Sequence, residues 1–193
     1  MTARAYIGIL GLQGDFKEHL AVIETLGHSG VLVRHPKDLE SVDALIIPGG
    51  ESTTIGLLMQ KNGLVEPILE FAAKEHPIMG TCAGMIVLAK NINGGVPGQV
   101  AVGLLDLEVR RNAFGRQVDS FEADVLWKPL NRDIKGVFIR APAISRIGEN
   151  VVPVAIFDGE IVGVQQGKII GISFHPELTD DTSVHQYFIS LIN

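Results

Sequence analysis

Ile78-Met79-Gly80-Thr81-Cys82-Ala83-Gly84 takes the chain from a short apolar strand into a helical pattern over residues 83–91, and it holds the sequence's one cysteine. Gly80 and Gly84 flank Cys82 at i−2 and i+2, the spacing of a Gly-x-Ser-x-Gly nucleophile elbow with a thiol in place of the hydroxyl. In such an elbow the nucleophile sits on a strained strand-to-helix turn, where flanking side chains would strike neighbouring backbone. The turn also sets the thiol at a helix N-terminus, whose dipole and free N–H groups favour the thiolate. A lone cysteine is more often a small buried hydrophobe. The paired glycines bring the two readings level, and a distant histidine, His175, tips the balance toward a nucleophile.

Upstream of the elbow, residues 5–10 form an apolar run that Gly11-Leu12-Gln13-Gly14 turns. Asp15 stands where it can cap a helix with Phe16, Leu20 and Ile23 on one face. Gly27 ends that helix, and residues 31–33 read as a second strand. Residues 44–47 are wholly apolar between Asp43 and Pro48, the mark of a strand buried on both sides. Helical stretches follow over 53–61 and 65–74. Strands alternating with helices at this spacing predict a parallel sheet covered on both faces.

Beyond the elbow the character changes. Residues 91–103, glycine-rich and containing Pro97, read as a long loop. Short strand-like segments follow at 107–109, 137–139, 152–157, 161–164 and 169–172, with Asp158-Gly159 as a hairpin turn between two of them. Residues 184–192 read as a closing helix. No repeat, low-complexity tract or linker divides the chain. The expectation is one domain over 1–193, a three-layer α/β sandwich around a mostly parallel sheet.

With 193 residues, 46% of them hydrophobic, and 22 glycines, the chain can bury a full core and is neither disordered nor fibrous. A single cysteine rules out an internal disulfide and fits a reducing cytoplasm. The first apolar run is broken by Gln13 and Asp15, unlike a signal peptide or a membrane span. A net charge of −6 argues against a nucleic-acid partner.

Three further segments carry chemistry. Pro48-Gly49-Gly50-Glu51-Ser52-Thr53 follows the third strand, so it shares the crevice beyond the strands' carboxyl ends with the elbow. Its glycines can aim backbone N–H groups at developing negative charge, as an oxyanion hole requires, although a plain turn with Ser52 as helix cap fits too. No Gly-Lys-Ser/Thr follows, so this is not a phosphate loop. In Ser173-Phe174-His175-Pro176-Glu177, His175 and Glu177 project to one side if the chain stays extended. Glu177 can then orient His175 while His175 takes the Cys82 proton. His19, His28, His35, His76 and His185 have no comparable context and read as surface or helix residues. With one cysteine and no His-x-x-x-His, a metal site has little support. Residues 110–122 mix charges with Phe114 and Phe121 and read as a solvated loop or a substrate and partner surface. Arg140, just after a strand in Phe138-Ile139-Arg140-Ala141-Pro142, is of the type that holds carboxylates.

Together these segments resemble the triad-type class I glutamine amidotransferases, with Gly80 to Gly84 as the elbow and His175-Pro176-Glu177 as the acid–base pair. More closely, the chain is similar to the glutaminase subunits of pyridoxal 5′-phosphate synthases, from Ile7-Gly8-Ile9-Leu10-Gly11-Leu12-Gln13-Gly14 to Phe174-His175-Pro176-Glu177-Leu178-Thr179. The segments 48–54, 111–122 and 138–142 are the specific ones. Met85-Ile86 is apolar where the wider superfamily often has a polar residue. The resemblance implies a flavodoxin-like fold and hydrolysis of L-glutamine to glutamate and ammonia by Cys82, His175 and Glu177. It implies an oxyanion hole of the Gly50 and Ala83 N–H groups, and glutamine contacts from Gly50, Glu51, Ser52, Arg111, Ile139 and Arg140. No cofactor or metal would be needed. Ammonia would pass to a separate barrel-shaped synthase subunit in a ring-shaped hetero-oligomer, whose docking activates the glutaminase and involves Gln13. Two adjacent glycines change φ cheaply, so docking is expected to reorient the Gly49-Gly50 peptide. The alternatives are a glutaminase serving another synthase, a cysteine peptidase of related fold, or a binding module without turnover.

Overall fold

In the computed structural model, which describes residues 4–96, 98–111 and 120–192, the first half alternates strand and helix. It runs β1 (Tyr6–Leu10), α1 (Phe16–Thr25), β2 (Ser29–Val33), β3 (Ala44–Ile47), α2 (Ser52–Lys61), α3 (Val65–Ala73), β4 (Ile78–Thr81) and α4 (Ala83–Leu88). β3 and β4 are buried at every residue, as continuous apolar runs must be when helices cover both faces of a sheet. The chain continues through β5 (Ala89–Asn93), β6 (Leu105–Arg110), β7 (Ser120–Trp127), β8 (Arg132–Ile139), β9 (Ala143–Ile147), β10 (Val152–Phe157), β11 (Glu160–Gln166), β12 (Ile169–Ile172) and α5 (Ser183–Ile189).

One nine-stranded sheet has the order β2-β1-β3-β4-β12-β11-β10-β7-β8. It is parallel from β2 to β12 and antiparallel beyond, so the parallel character extends over one half of a mixed sheet. β5, β6 and β9 form a second, smaller sheet. Alternation along the strands divides the core into two layers. Leu45 and Ile47 of β3 pack with Ile55, Met59, Ile68 and Met85 on one face. Ala44 and Ile46 pack with Ile23, Trp127, Phe174 and Phe188 on the other.

Register positions the site. Ile47 pairs with Gly80, and Thr81 with Ile172, so β3, β4 and β12 end level. Their loops, with the loop after β1, open at one edge. Asp158 and Gly159 both have positive φ, at 50° and 79°, as a two-residue hairpin turn requires.

Several elements differ from the sequence expectation. The helix after the elbow stops at Leu88, where the apolar run gives out, and the chain pairs as β5 with β6. Strand β7 replaces the end of the expected solvated loop. Its inward residues Val125 and Trp127 alternate with exposed ones, a period-2 signal masked by the charges between. Pro97 and residues 112–119 lie outside the described residues.

Candidate active site

Cys82 adopts φ 49° and ψ −104°, a strained backbone for a residue with a side chain. The flanking glycines make the turn possible. A Cβ on Gly84 would lie 2.0 Å from the Ile47 carbonyl oxygen, and one on Gly80 would lie 2.5 Å from the Gly84 carbonyl carbon. The thiol faces the end of β8, with Sγ 3.8 Å from the Ile139 carbonyl oxygen. α4 has six residues, so its dipole is small and the thiol's proton partner must be a side chain.

The candidate is His175, which leaves the sheet just after β12. Its ring lines one cleft with Cys82, and its Nδ1 lies 2.7 Å from Glu177 Oε1. Burial would lower the His175 pKa, but the nearby Cys82 thiol and the hydrogen bond and charge of Glu177 outweigh it and push it up to about 10. Burial raises the Glu177 carboxyl, while the bond from His175 opposes that shift. Both side chains are buried. A side chain on Gly49 would strike the His175 ring, 2.3 Å away.

Asp15 occupies the first cap position of α1 but makes no capping bond, contrary to the sequence reading. Its carboxylate instead reaches within 3.6 Å of His175 Nδ1, and burial raises its pKa. Asp15, His175 and Glu177 lie close enough together to hold an ion. The His175 nitrogen facing both carboxylates, however, is already committed to Glu177, so the cluster fits a proton better than a metal.

The loop after β3 is laced to the loop after β1. Asp15 N–H donates to Gly49 O at 3.0 Å, and Glu51 N–H donates to Gln13 Oε1 at 2.8 Å. Glu51, not Ser52, caps α2, accepting from Thr53 and Thr54 N–H. Burial opposes ionisation of Glu51, but these bonds and those of the threonine hydroxyls prevail and hold its pKa at about 2. Arg111 donates to Glu51, Thr53 and Gln99 at 3.0–3.1 Å, and Gln99 donates to Ser52 Oγ at 3.0 Å. Gln99, in a glycine-rich loop, carried no sequence signal.

A cleft of about 390 Å³ gathers these groups, within the usual size of small-molecule sites. Cys82, Ala83 and His175 line it with Gly50, Glu51, Ser52, Arg111, Ile139 and Arg140, so every residue expected to touch substrate faces one space. Glu177 stands behind His175. Arg140 is held at φ 43°, directly after β8. His19 and His185 are fully buried beside Glu177 rather than on the surface. Their helices bring them in, and the burial of one helical histidine cannot be read from its neighbours in sequence.

A pyridoxal 5′-phosphate synthase subunit PdxT of Thermococcus kodakarensis is 51% identical over 190 residues, covering 95% of this chain and 96% of its own. One of Bacillus velezensis is 50% identical over 185 residues, covering 96% and 93%. A solved structure described as a glutamine amidotransferase superposes with a TM-score of 0.92 at 46% identity, covering 96% of this chain and 98% of that one. The profile of the SNO glutamine amidotransferase family matches residues 9–193. Sharing that profile over nearly its whole length, and half its residues with such relatives, the chain belongs to the SNO glutamine amidotransferase family.

Proposed function

We propose that residues 1–193 act as one glutaminase domain, the ammonia-producing subunit of a pyridoxal 5′-phosphate synthase. The observation that carries this reading is His175 beside the elbow cysteine in one cleft of substrate size, with its Nδ1 2.7 Å from Glu177 Oε1.

His175 takes the Cys82 proton, and the sulfur attacks the side-chain amide carbon of L-glutamine. The N–H groups of Gly50 and Ala83 hold the oxyanion, each such donor lowering the barrier by about 3 kcal/mol. His175 returns its proton to the departing nitrogen, the C–N bond breaks, and ammonia leaves a thioester on Cys82. Water, deprotonated by His175, then splits the thioester to glutamate and free thiol. Glu177 keeps the Nδ1 proton of His175 in place throughout. Glu51, Ser52, Arg111, Ile139 and Arg140, with the Gly50 backbone, seat the amino acid end of glutamine.

Relatives at about half identity bear the name of a synthase subunit, which supports delivery of the ammonia to a separate barrel subunit in a ring-shaped hetero-oligomer. Gln13, which accepts from Glu51 N–H, and the Gly49-Gly50 peptide, whose Gly49 carbonyl accepts from Asp15 N–H, form the route by which docking acts on the oxyanion hole. No helix among the described residues is long and apolar enough to cross a membrane, in keeping with work in the cytoplasm.

The test is ammonia and glutamate release from L-glutamine with and without the barrel subunit, with Cys82→Ala as control. Turnover that needs both Cys82 and the partner is expected. Peptide cleavage by the chain alone would overturn the reading, and equal glutaminase rates with and without the partner would remove the activation step.

A further inference from the structure

The side of Glu177 that His175 does not use faces a second group of polar side chains, all of it buried. His19 of α1 and His185 of α5 are wholly shielded from solvent, and His19 Nδ1 lies 2.9 Å from His185 Nε2. The other nitrogen of His19, Nε2, stands 3.5 Å from Glu177 Oε2 and 3.2 Å from Thr81 Oγ1. Glu177 Oε2 makes no hydrogen bond among the described residues, so the 3.5 Å approach of His19 is a charge–dipole contact and not a formed hydrogen bond. Thr81 immediately precedes Cys82. One ring nitrogen therefore approaches both the carboxylate proposed to orient the base and the residue next to the proposed nucleophile.

The protons can be placed. Burial lowers the pKa of both rings, that of His185 to about 4, and neighbouring imidazoles lower His19 further. Both are neutral near pH 7, with one N–H each. A carboxylate oxygen only accepts hydrogen bonds, so the His19 proton belongs on Nε2. Its Nδ1 is then a lone pair, and His185 Nε2 must donate to it. That leaves His185 Nδ1 as a bare lone pair, and this atom indeed meets no partner. The result is one directed arrangement: His185 donates to His19, His19 donates to Thr81 Oγ1 with the same N–H turned toward Glu177 Oε2, and His175 donates to Glu177 Oε1.

We propose that His19 is a positioning residue for the triad, gripping Glu177 and Thr81 through Nε2–H, with His185 fixing its tautomer. Polar groups sealed in a core are costly unless bonded, and an aliphatic residue would fill the same space. With His175 bonded to one oxygen and the His19 N–H dipole facing the other at 3.5 Å, the Glu177 carboxylate is disfavoured from swinging away as the His175 imidazole alternates between its charged and neutral forms. The proposal rests on the triad reading above.

The experiment compares His19→Leu, which keeps packing but loses the donor, with His19→Gln, whose amide N–H reaches where Nε2 does. Two readouts are taken: steady-state glutaminase kinetics with the barrel subunit, and the pH profile of Cys82 alkylation by iodoacetamide, which needs neither glutamine nor partner. His19→Leu is expected to lower kcat about 10- to 100-fold, the usual effect of removing an outer hydrogen-bond partner of a functional imidazole. KM should stay within about twofold, and the alkylation profile should shift to higher pH. His19→Gln should recover most of both. Equal losses in the two variants, or a leucine variant with the parent's kcat and alkylation profile, would overturn the proposal. If His19→Leu does not fold, His19→Asn, too short to reach Glu177, takes its place in the comparison. A parent chain that alkylates like an unpaired thiol would instead refute the triad itself, and the proposal with it.

Discussion

Glu177→Gln puts the Glu177 geometry to a strict test, because the carboxylate has a donor on each side. His175 Nδ1 approaches one oxygen at 2.7 Å and His19 Nε2 the other at 3.5 Å. A glutamine side chain has one oxygen and one NH₂, so either orientation sets a donor against a donor. With its oxygen toward His175 it keeps a neutral hydrogen bond and opposes His19. With its NH₂ toward His175 it forces the imidazole proton onto Nε2, facing Cys82, and leaves no base. The better orientation still exchanges a charge-assisted bond for a neutral one, a loss of about 1–2 kcal/mol. The worse one approaches the about 10⁴-fold loss seen when a triad carboxylate becomes an amide and the imidazole adopts the wrong tautomer. A fall in kcat of about 10-fold or more is therefore expected, rising toward about 10⁴-fold if the amide takes the second orientation, with KM for glutamine little changed and the fold intact. Ammonia release with the barrel subunit present, alongside a thermal melt, measures it. A folded variant with kcat within about threefold of the parent would refute the assignment of Glu177 as the orienting group.

At Cys82, with φ 49°, glycine relieves backbone strain that alanine keeps, so Cys82→Gly should be about 1 kcal/mol more stable than Cys82→Ala in urea melts, both being inactive. Arg111→Lys loses the planar fork that bonds Glu51, Thr53 and Gln99, and should raise KM for glutamine about 10-fold or more with a smaller change in kcat. Glu51, with a pKa of about 2 in the fold against an ordinary 4.5, adds stability that is present above pH 4.5 and lost as pH falls toward 2. Glu51→Gln should flatten the acid limb of a stability–pH curve. His175 works in the opposite direction: with its folded pKa at about 10, its contribution is full below pH 6.5 and fades as pH rises through 10, a limb that Glu177→Gln should bring to lower pH in alkaline melts.

Elements with an uninterrupted pattern were legible from sequence. β3, β10 and β12 coincide with the apolar runs at 44–47, 152–157 and 169–172, and the elbow follows from two glycines whose Cβ positions are blocked. Elements whose pairing lies far along the chain were not. β5 and β9 pair with β6, and nothing within their five residues marks them as strands. Cys82, His175 and Glu177 could be singled out because their residue types are rare in that order, and the fold brings them to one place. His19, Asp15 and Gln99 stayed hidden because their roles arise from which helix or loop the fold lays against Glu177, His175 and Arg111.

The insertion of β12 between β4 and β11 bears on how the molecule is made. Cys82 and His175, the proposed nucleophile and base, are brought together by the parallel pairing of Thr81 with Ile172, a contact between residues far apart in sequence, of the kind that forms late because the long intervening loop must first be closed. During synthesis the chain emerges N-terminal end first. β1 to α4 can therefore assemble with the thiol already in its turn, while the strand that brings His175 is still unmade. A nascent or truncated chain then carries the cysteine without its base, and the capacity to release ammonia arises only when the central gap in the sheet is filled.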